Sequence, residues 1–155
     1  DARIRPGFYG GAGRALWFLL PDFGAFQTVI SALPEDCRNE CLAGFGLAAG
    51  FAGCEGIPSG SLAACPRAIE SSPSFRLGLI TGLFARYYVE PGFVEKMLGH
   101  HQAELLQRVQ YAAATYHEFR SREATYEEWR YALEIKLKDW SEAGVAFEPR
   151  VRSMA

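Results

Sequence analysis

The sequence predicts an all-α protein of six or seven helices in a single domain over residues 1–155. Three observations predict it. Apolar residues recur at steps of three and four, with no convincing two-residue alternation anywhere in the chain. Prolines and capping residues divide the chain into segments of helical length. The composition, 49% hydrophobic and 22% charged, is that of a globular chain, and 155 residues are enough to bury a core.

The first helix is expected over Phe8–Leu20, where Ala15, Leu16, Phe18 and Leu19 supply apolar positions and Pro21 is the stop. Asp22 reads as an N-cap for a second segment ending near Leu33. Pro34 at a first helical position, with Glu35 and Asp36 in the first turn, opens a third helix through GFGLAAGFAG, Gly44 to Gly53. Gly56, Pro58 and Gly60 break the chain over Glu55–Gly60, and a short helix is expected after them, to about Cys65.

Ser72 before Pro73 repeats the cap-then-proline pattern, and Phe75–Tyr88 is apolar on nearly every side, as a central buried helix should be. Pro91 and Gly92 read as the next turn. From Phe93, the stripe Val94, Leu98, His101, Leu105, Val109, Ala112, Tyr116 and Phe119 predicts one long amphipathic helix. Thr125 and Glu128 form a capping-box pattern before a last helix with the face Tyr126, Trp129, Leu133, Leu137 and Trp140, ending at Gly144. Residues 145–155 read as an extended or frayed tail.

Charge divides the chain. Residues 90–155 carry 9 basic and 11 acidic side chains, the preceding 89 residues only 7 of each. The expected architecture is therefore an apolar helical core over 1–89 covered by two charged amphipathic helices over 90–144. The strings GAGRALWFLL, GFGLAAGFAG and RLGLITGLFARYY look like variations on one glycine-and-aromatic helix, a weak signature of helical-hairpin repeats.

Several functional classes are disfavoured. A net charge of -2 and a pI near 6.0 leave no electrostatic footprint for nucleic acid. The longest uncharged run, Cys41–Cys54, is too short and too rich in Gly and Ala for a transmembrane helix. The chain opens on Asp1 without methionine or a signal-peptide core, which reads as a processed product or a fragment. No Gly-rich segment supplies the Lys of a phosphate loop, and Gly11-Ala12-Gly13 meets Leu16 where a dinucleotide fingerprint needs a third glycine. No cofactor is expected.

The recurring glycine spacing is small-x-x-x-small: Gly46 with Gly50, and Gly78 with Gly82. Residues four apart share a helix face, so each pair makes a smooth strip for close backbone approach, within this chain or against another. Trp17, Trp129 and Trp140 are expected in the core or at an interface. Arg14 and Arg86 lie inside otherwise apolar helices; they either snorkel to the surface or project into a cleft to hold a carboxylate or a partner.

His101 falls on the apolar stripe as a core histidine or a polar anchor, and His117 lies beside it. His100 with Glu104 is only half a metal site, and no metal is expected. Of the four cysteines, Cys37 and Cys41 lack the two-residue spacing of zinc and redox motifs. All four are expected as small buried or half-buried thiols, the alternatives being a Cys54–Cys65 disulfide in an oxidising compartment and, last, a metal site.

GFYGGAGRALWFLL, LAGFGLAAGFAG and YEEWRYALE together resemble the later half of an uncharacterised bacterial protein family encoded in enediyne polyketide biosynthesis gene clusters. The resemblance is carried by Gly11, Gly13, Arg14, Leu16, Trp17 and Phe18, by Gly44, Gly46, Leu47 and Ala48, and by Tyr126, Trp129 and Arg130. It covers most of the chain. The cysteine cluster and the missing first half depart from the family's pattern. The resemblance implies an accessory role and carries no catalytic residues.

The expected function is that of a non-enzymatic α-helical interaction protein, a subunit or accessory factor packing against another protein chain. The alternative is a binding module or cofactor-free enzyme that holds an apolar, polyene- or polyketide-like small molecule between helices, with Arg14, Arg86 and His101 as polar anchors.

Overall fold

The computed structural model describes residues 4–20, 22–56, 65–99 and 102–143. All of the regular structure among them is helical: α1 Ile4–Leu19, α2 Phe23–Ser31, α3 Glu35–Gly56, α4 Arg67–Glu70, α5 Pro73–Val89, α6 Pro91–Leu98, α7 Ala103–Ser121 and α8 Tyr126–Ala143.

Local signals set most of the boundaries. The Asp22 carboxylate accepts from the Ala25 amide at 2.8 Å and starts α2. Arg38, reaching back from α3, donates to the Leu33 and Ser31 carbonyls, placing a cation at the C-terminal end of α2. Pro34 sits at the cap of α3, one residue earlier than expected, its carbonyl accepting from the Cys37 and Arg38 amides. The Ser72 hydroxyl caps α5 with Pro73 at its first position. Thr125 and Glu128 form the reciprocal box: the Thr125 amide donates to the Glu128 carboxylate at 2.7 Å, and the Glu128 amide to the Thr125 hydroxyl at 3.3 Å.

Four expectations need correction. Helix α1 begins at Ile4, a full turn before the expected Phe8. Pro91 and Gly92 do not form a turn between helices; they are the first residues of α6, where proline's missing N–H costs nothing. The single long helix expected from Phe93 is divided, because α6 ends at Gly99, whose φ of +50° leaves the right-handed helical region. The apolar stripe continues through the division because Val94 and Leu98 on α6, and Val109 and Ala112 on α7, are all buried. The unanticipated α4, a single turn that buries Ile69, brings the described helices to eight, and the division at Gly99 puts three rather than two on the charged side. The short helix expected before Cys65 and the tail after Gly144 fall outside the described residues.

The core is organised by α3. One side packs against α1 and the other against α5, so the three glycine-and-aromatic strings form adjacent helices. A Cβ on Gly78 would fall on the Ala43 carbonyl, 2.9 Å from the Leu47 amide nitrogen; one on Gly82 would fall on the Leu47 carbonyl, 2.8 Å from the Phe51 nitrogen. Gly46 and Gly50 stand in the same relation to Phe75, Leu79 and Leu83. These pairs advance in the same direction along both chains, so α3 and α5 run parallel in backbone contact. The glycine strips therefore face inward and are used within this chain.

On the other side of α3, Cβ atoms on Gly13 and Gly44 would meet the backbones of Cys41 and Gly10. Around this seam, Phe26, Phe45 and Phe75 are buried, and the Phe26 and Phe45 rings stack 3.6 Å apart. A second core lies between α5, α7 and α8. There Trp129 is 1% exposed among Phe84, Ala112 and Leu133 and donates its indole N–H to the Ala112 carbonyl and the Thr115 hydroxyl, both at 3.3 Å.

Candidate functional site

Close packing of α1 on α3 leaves a groove where α8 crosses them. The groove holds about 230 Å³. Gly7, Gly10 and Arg14 come from α1, Glu40 and Gly44 from α3, and Tyr126 and Arg130 from α8. Arg130 approaches Glu40 at 3.6 Å and ties α8 to α3. Burial pushes the Tyr126 hydroxyl's pKa up, Arg130 and Arg14 pull it down and Glu127 adds a smaller upward push, so both cations and one carboxylate outside the lining lie within electrostatic range of that hydroxyl. The wall also includes Thr81, which is buried and donates its own hydroxyl to the Leu77 carbonyl at 2.8 Å. Residues from all three segments that carry the family resemblance meet here, although they are far apart in the chain.

Beside the groove, the outer side of α1 is apolar. Phe8, Ala15, Phe18 and Leu19 fall on one face at helical spacing, and all four are exposed, Phe8 at 67%, Phe18 at 69% and Leu19 at 75%. The opposite face carries Gly13 against α3 and Trp17 against Phe45, ring centres 5.2 Å apart. Arg14 and Phe18 are four residues apart on the same helix, so the groove's cation borders the apolar face.

A larger cavity of about 400 Å³ lies between α4, α5 and α7. Phe75, Leu79, Ile80 and Leu105 give it an apolar lining, with Arg76 and Arg108 as its cations. The Arg76 Nε donates to the Glu70 carbonyl at 2.7 Å, and Arg108 pairs with Glu104. Cys65 also lines this cavity. Burial, then the nearby Glu70 charge, push its thiol pKa up to about 11, so at neutral pH it is an unreactive thiol.

The structure distributes the residues singled out in the sequence rather than gathering them. Gly46, Gly50, Gly78 and Gly82 form the α3–α5 seam. Trp129 is core, and Trp17 is half-buried beside Phe23 and Phe45; the side chain of Trp140 lies outside the described residues. Arg14 lines the groove, but Arg86 does not. Arg86 pairs with Glu90 at 3.4 Å and lies 4.9 Å over the Phe93 ring where α5 meets α6. The two arginines share no cavity, and His100 and His101 are outside the described residues. His117 is exposed, beside Tyr88. Cys37, Cys41 and Cys65 are buried. The Cys65 thiol donates to the Pro66 carbonyl, and the Cys54–Cys65 pairing falls outside what the structure describes, because the Cys54 side chain lies outside the described residues.

Sequence reasoning missed Glu40, Arg76 and Arg108 as site residues. Each is an ordinary polar position on its own helix, and only the packing of helices brings it to the wall of a cavity. Tyr126 and Arg130 carried a signal, the Tyr-x-x-Trp-Arg spacing, which puts Arg130 one turn beyond Tyr126 on the side away from the Trp129 core position. Among the described residues, no three His, Cys, Asp or Glu side chains converge as metal ligands, and no helix is long and apolar enough to cross a membrane.

These features define a class: an all-α protein with a glycine-packed centre, an exposed apolar helix face and a cationic groove beside it. The chain belongs to the family described as protein of unknown function (DUF1702), which matches residues 7–137. No curated protein and no solved structure matches it.

Proposed function

We propose that this protein is a non-enzymatic interaction protein, a subunit or accessory factor that packs against another polypeptide through the outer face of α1. One observation carries the reading. Helix α1 is already buried on its glycine side, yet presents Phe8, Phe18 and Leu19 to solvent on the other, with no charge among them. A contiguous apolar face bordered by charged groups such as Arg14 and Arg130 is the usual anatomy of a docking surface. The inward glycine strips do not support this reading, because their partners are in this chain. The resemblance to a family encoded in enediyne polyketide gene clusters fits the same accessory role.

Native mass spectrometry of the protein purified gently from its source tests the proposal. The expected result is a complex of defined mass with another polypeptide. The double variant Phe18→Lys/Leu19→Lys, at exposed positions, should remove that complex without unfolding the chain. A lone chain in the unmodified protein overturns the reading.

The cavity between α4, α5 and α7 supports a second reading, a module that holds an apolar or amphipathic small molecule. Its volume of about 400 Å³ and its lining of Phe75, Leu79, Ile80 and Leu105 suit such a ligand, with Arg76 and Arg108 as anchors; of the expected anchors, Arg14 and Arg86 do not line it and His101 lies outside the described residues. A lone chain carrying a small-molecule mass in the same spectrum favours it, and Ala103→Trp at the cavity wall should then remove that mass.

A further inference from the structure

The groove between α1, α3 and α8 has a property that neither the apolar face beside it nor the glycine seam beneath it requires. It holds two guanidinium groups against one carboxylate. Glu40 meets Arg130 through a single contact at 3.6 Å, with both side chains about one-third exposed (31% and 37%). Among the described residues, no carboxylate lies within ion-pair distance of Arg14. The Tyr126 phenol lines the same groove and keeps its proton at neutral pH, adding an O–H donor.

We propose that this groove is a binding site for a carboxylate group, held by Arg14 and Arg130 with the Tyr126 hydroxyl as a third donor. Charge and shape select the class. Among the lining residues the excess of one positive charge matches a monoanion, with Glu127 outside the lining but within electrostatic range of Tyr126, and the guanidinium fork matches a planar carboxylate through paired N–H donors. A phosphate dianion would bring a second negative charge towards Glu40.

Space agrees with a small group. The groove holds about 230 Å³, enough for a short organic acid or the acidic end of a larger molecule. Gly7, Gly10 and Gly44 contribute no side chains to it, and a Cβ on Gly7 would meet nothing within 4 Å. The carboxylate belongs to a free small acid or to an acidic side chain of a docked polypeptide. The site does not depend on whether the outer face of α1 binds a partner.

The test is an NMR titration of the full chain with butyrate and, separately, with aspartate blocked at both backbone ends. Chloride keeps the ionic strength constant, and butanol and phosphate are the controls. The expected result is saturable shifts centred on Arg14, Tyr126 and Arg130 with the carboxylates, weakened about tenfold in Arg14→Gln. Gly7→Leu fills the groove away from the Gly13–Gly44 seam and should remove the response, with the rest of the spectrum reporting an intact fold.

Tighter binding of butyrate identifies a free acid as the ligand, and tighter binding of the blocked aspartate a polypeptide. Three results would overturn the proposal: no saturable shifts with either carboxylate, equal shifts with butanol or phosphate, or a response undiminished in both Arg14→Gln and Gly7→Leu.

Discussion

Replacing Gly78 by alanine tests the organising feature of this fold. The new Cβ falls on the Ala43 carbonyl and 2.9 Å from the Leu47 amide nitrogen. Both are backbone atoms of a 22-residue helix, so no rotamer change relieves the clash and α3 must move away from α5. Overpacking costs about 1–3 kcal/mol, and a clash with main chain belongs at the upper end. Alanine returns about 1 kcal/mol through its better helix propensity. The net loss is about 2 kcal/mol, or a fall in Tm of about 4–8 °C for a chain of this size.

The same exchange at Gly11, in the interior of α1, supplies the control, because a Cβ there meets nothing within 4 Å. Gly11→Ala should therefore raise stability by up to about 1 kcal/mol. Urea denaturation with matched thermal melts measures both. Gly46→Ala combined with Gly78→Ala should cost less than the sum of the two single changes, since moving the helices apart once relieves both clashes. A Gly78→Ala variant as stable as the unmodified protein would refute backbone contact along this seam.

Other perturbations give equally definite outcomes. Thr125→Ala removes one half of the capping box and should cost about 1 kcal/mol in urea denaturation, with Glu128→Ala adding little once Thr125 is gone. Trp129→Phe loses the indole hydrogen bonds and leaves a cavity in the core, while the Ala112 carbonyl keeps the Thr115 hydroxyl, for a loss of about 2 kcal/mol by the same assay. Cys65 has a folded pKa of about 11 against an ordinary 9.0, so its contribution to stability is complete below pH 9.0 and disappears as the pH rises through about 11. Comparing the unmodified protein with Cys65→Ala across that range isolates this term. Alkylation of Cys65 in the folded protein should be slow at pH 8 and accelerate only towards pH 11.

Much of this fold was legible in particular residues. Asp22, Ser72 and the Thr125–Glu128 pair announced three helix starts, because a cap is a contact between residues three apart and needs no tertiary information. Sequence reasoning missed the break at Gly99, because the stripe from Val94 to Phe119 continues straight across it. Hydrophobic spacing records which residues face the core, and that record survives a break when both pieces pack on the same core. The candidate groove was only partly visible. Arg14 stood out as a charge in an apolar helix, whereas Glu40 looked like any surface residue of α3.

Local patterns in the residues already specify that the described chain is helical, where α2, α3, α5 and α8 begin and which faces are apolar. Those properties follow from hydrogen bonds and side-chain contacts within a few residues. Long-range packing settles that Gly46 and Gly50 meet Gly78 and Gly82 inside this chain, that Phe8, Phe18 and Leu19 on α1 are exposed, and that Arg14 and Arg130 share one groove while Arg86 lies elsewhere. The physical reason is that a smooth glycine strip fits any partner that brings a smooth surface. The choice of partner is a competition among long-range packings, which local spacing does not encode.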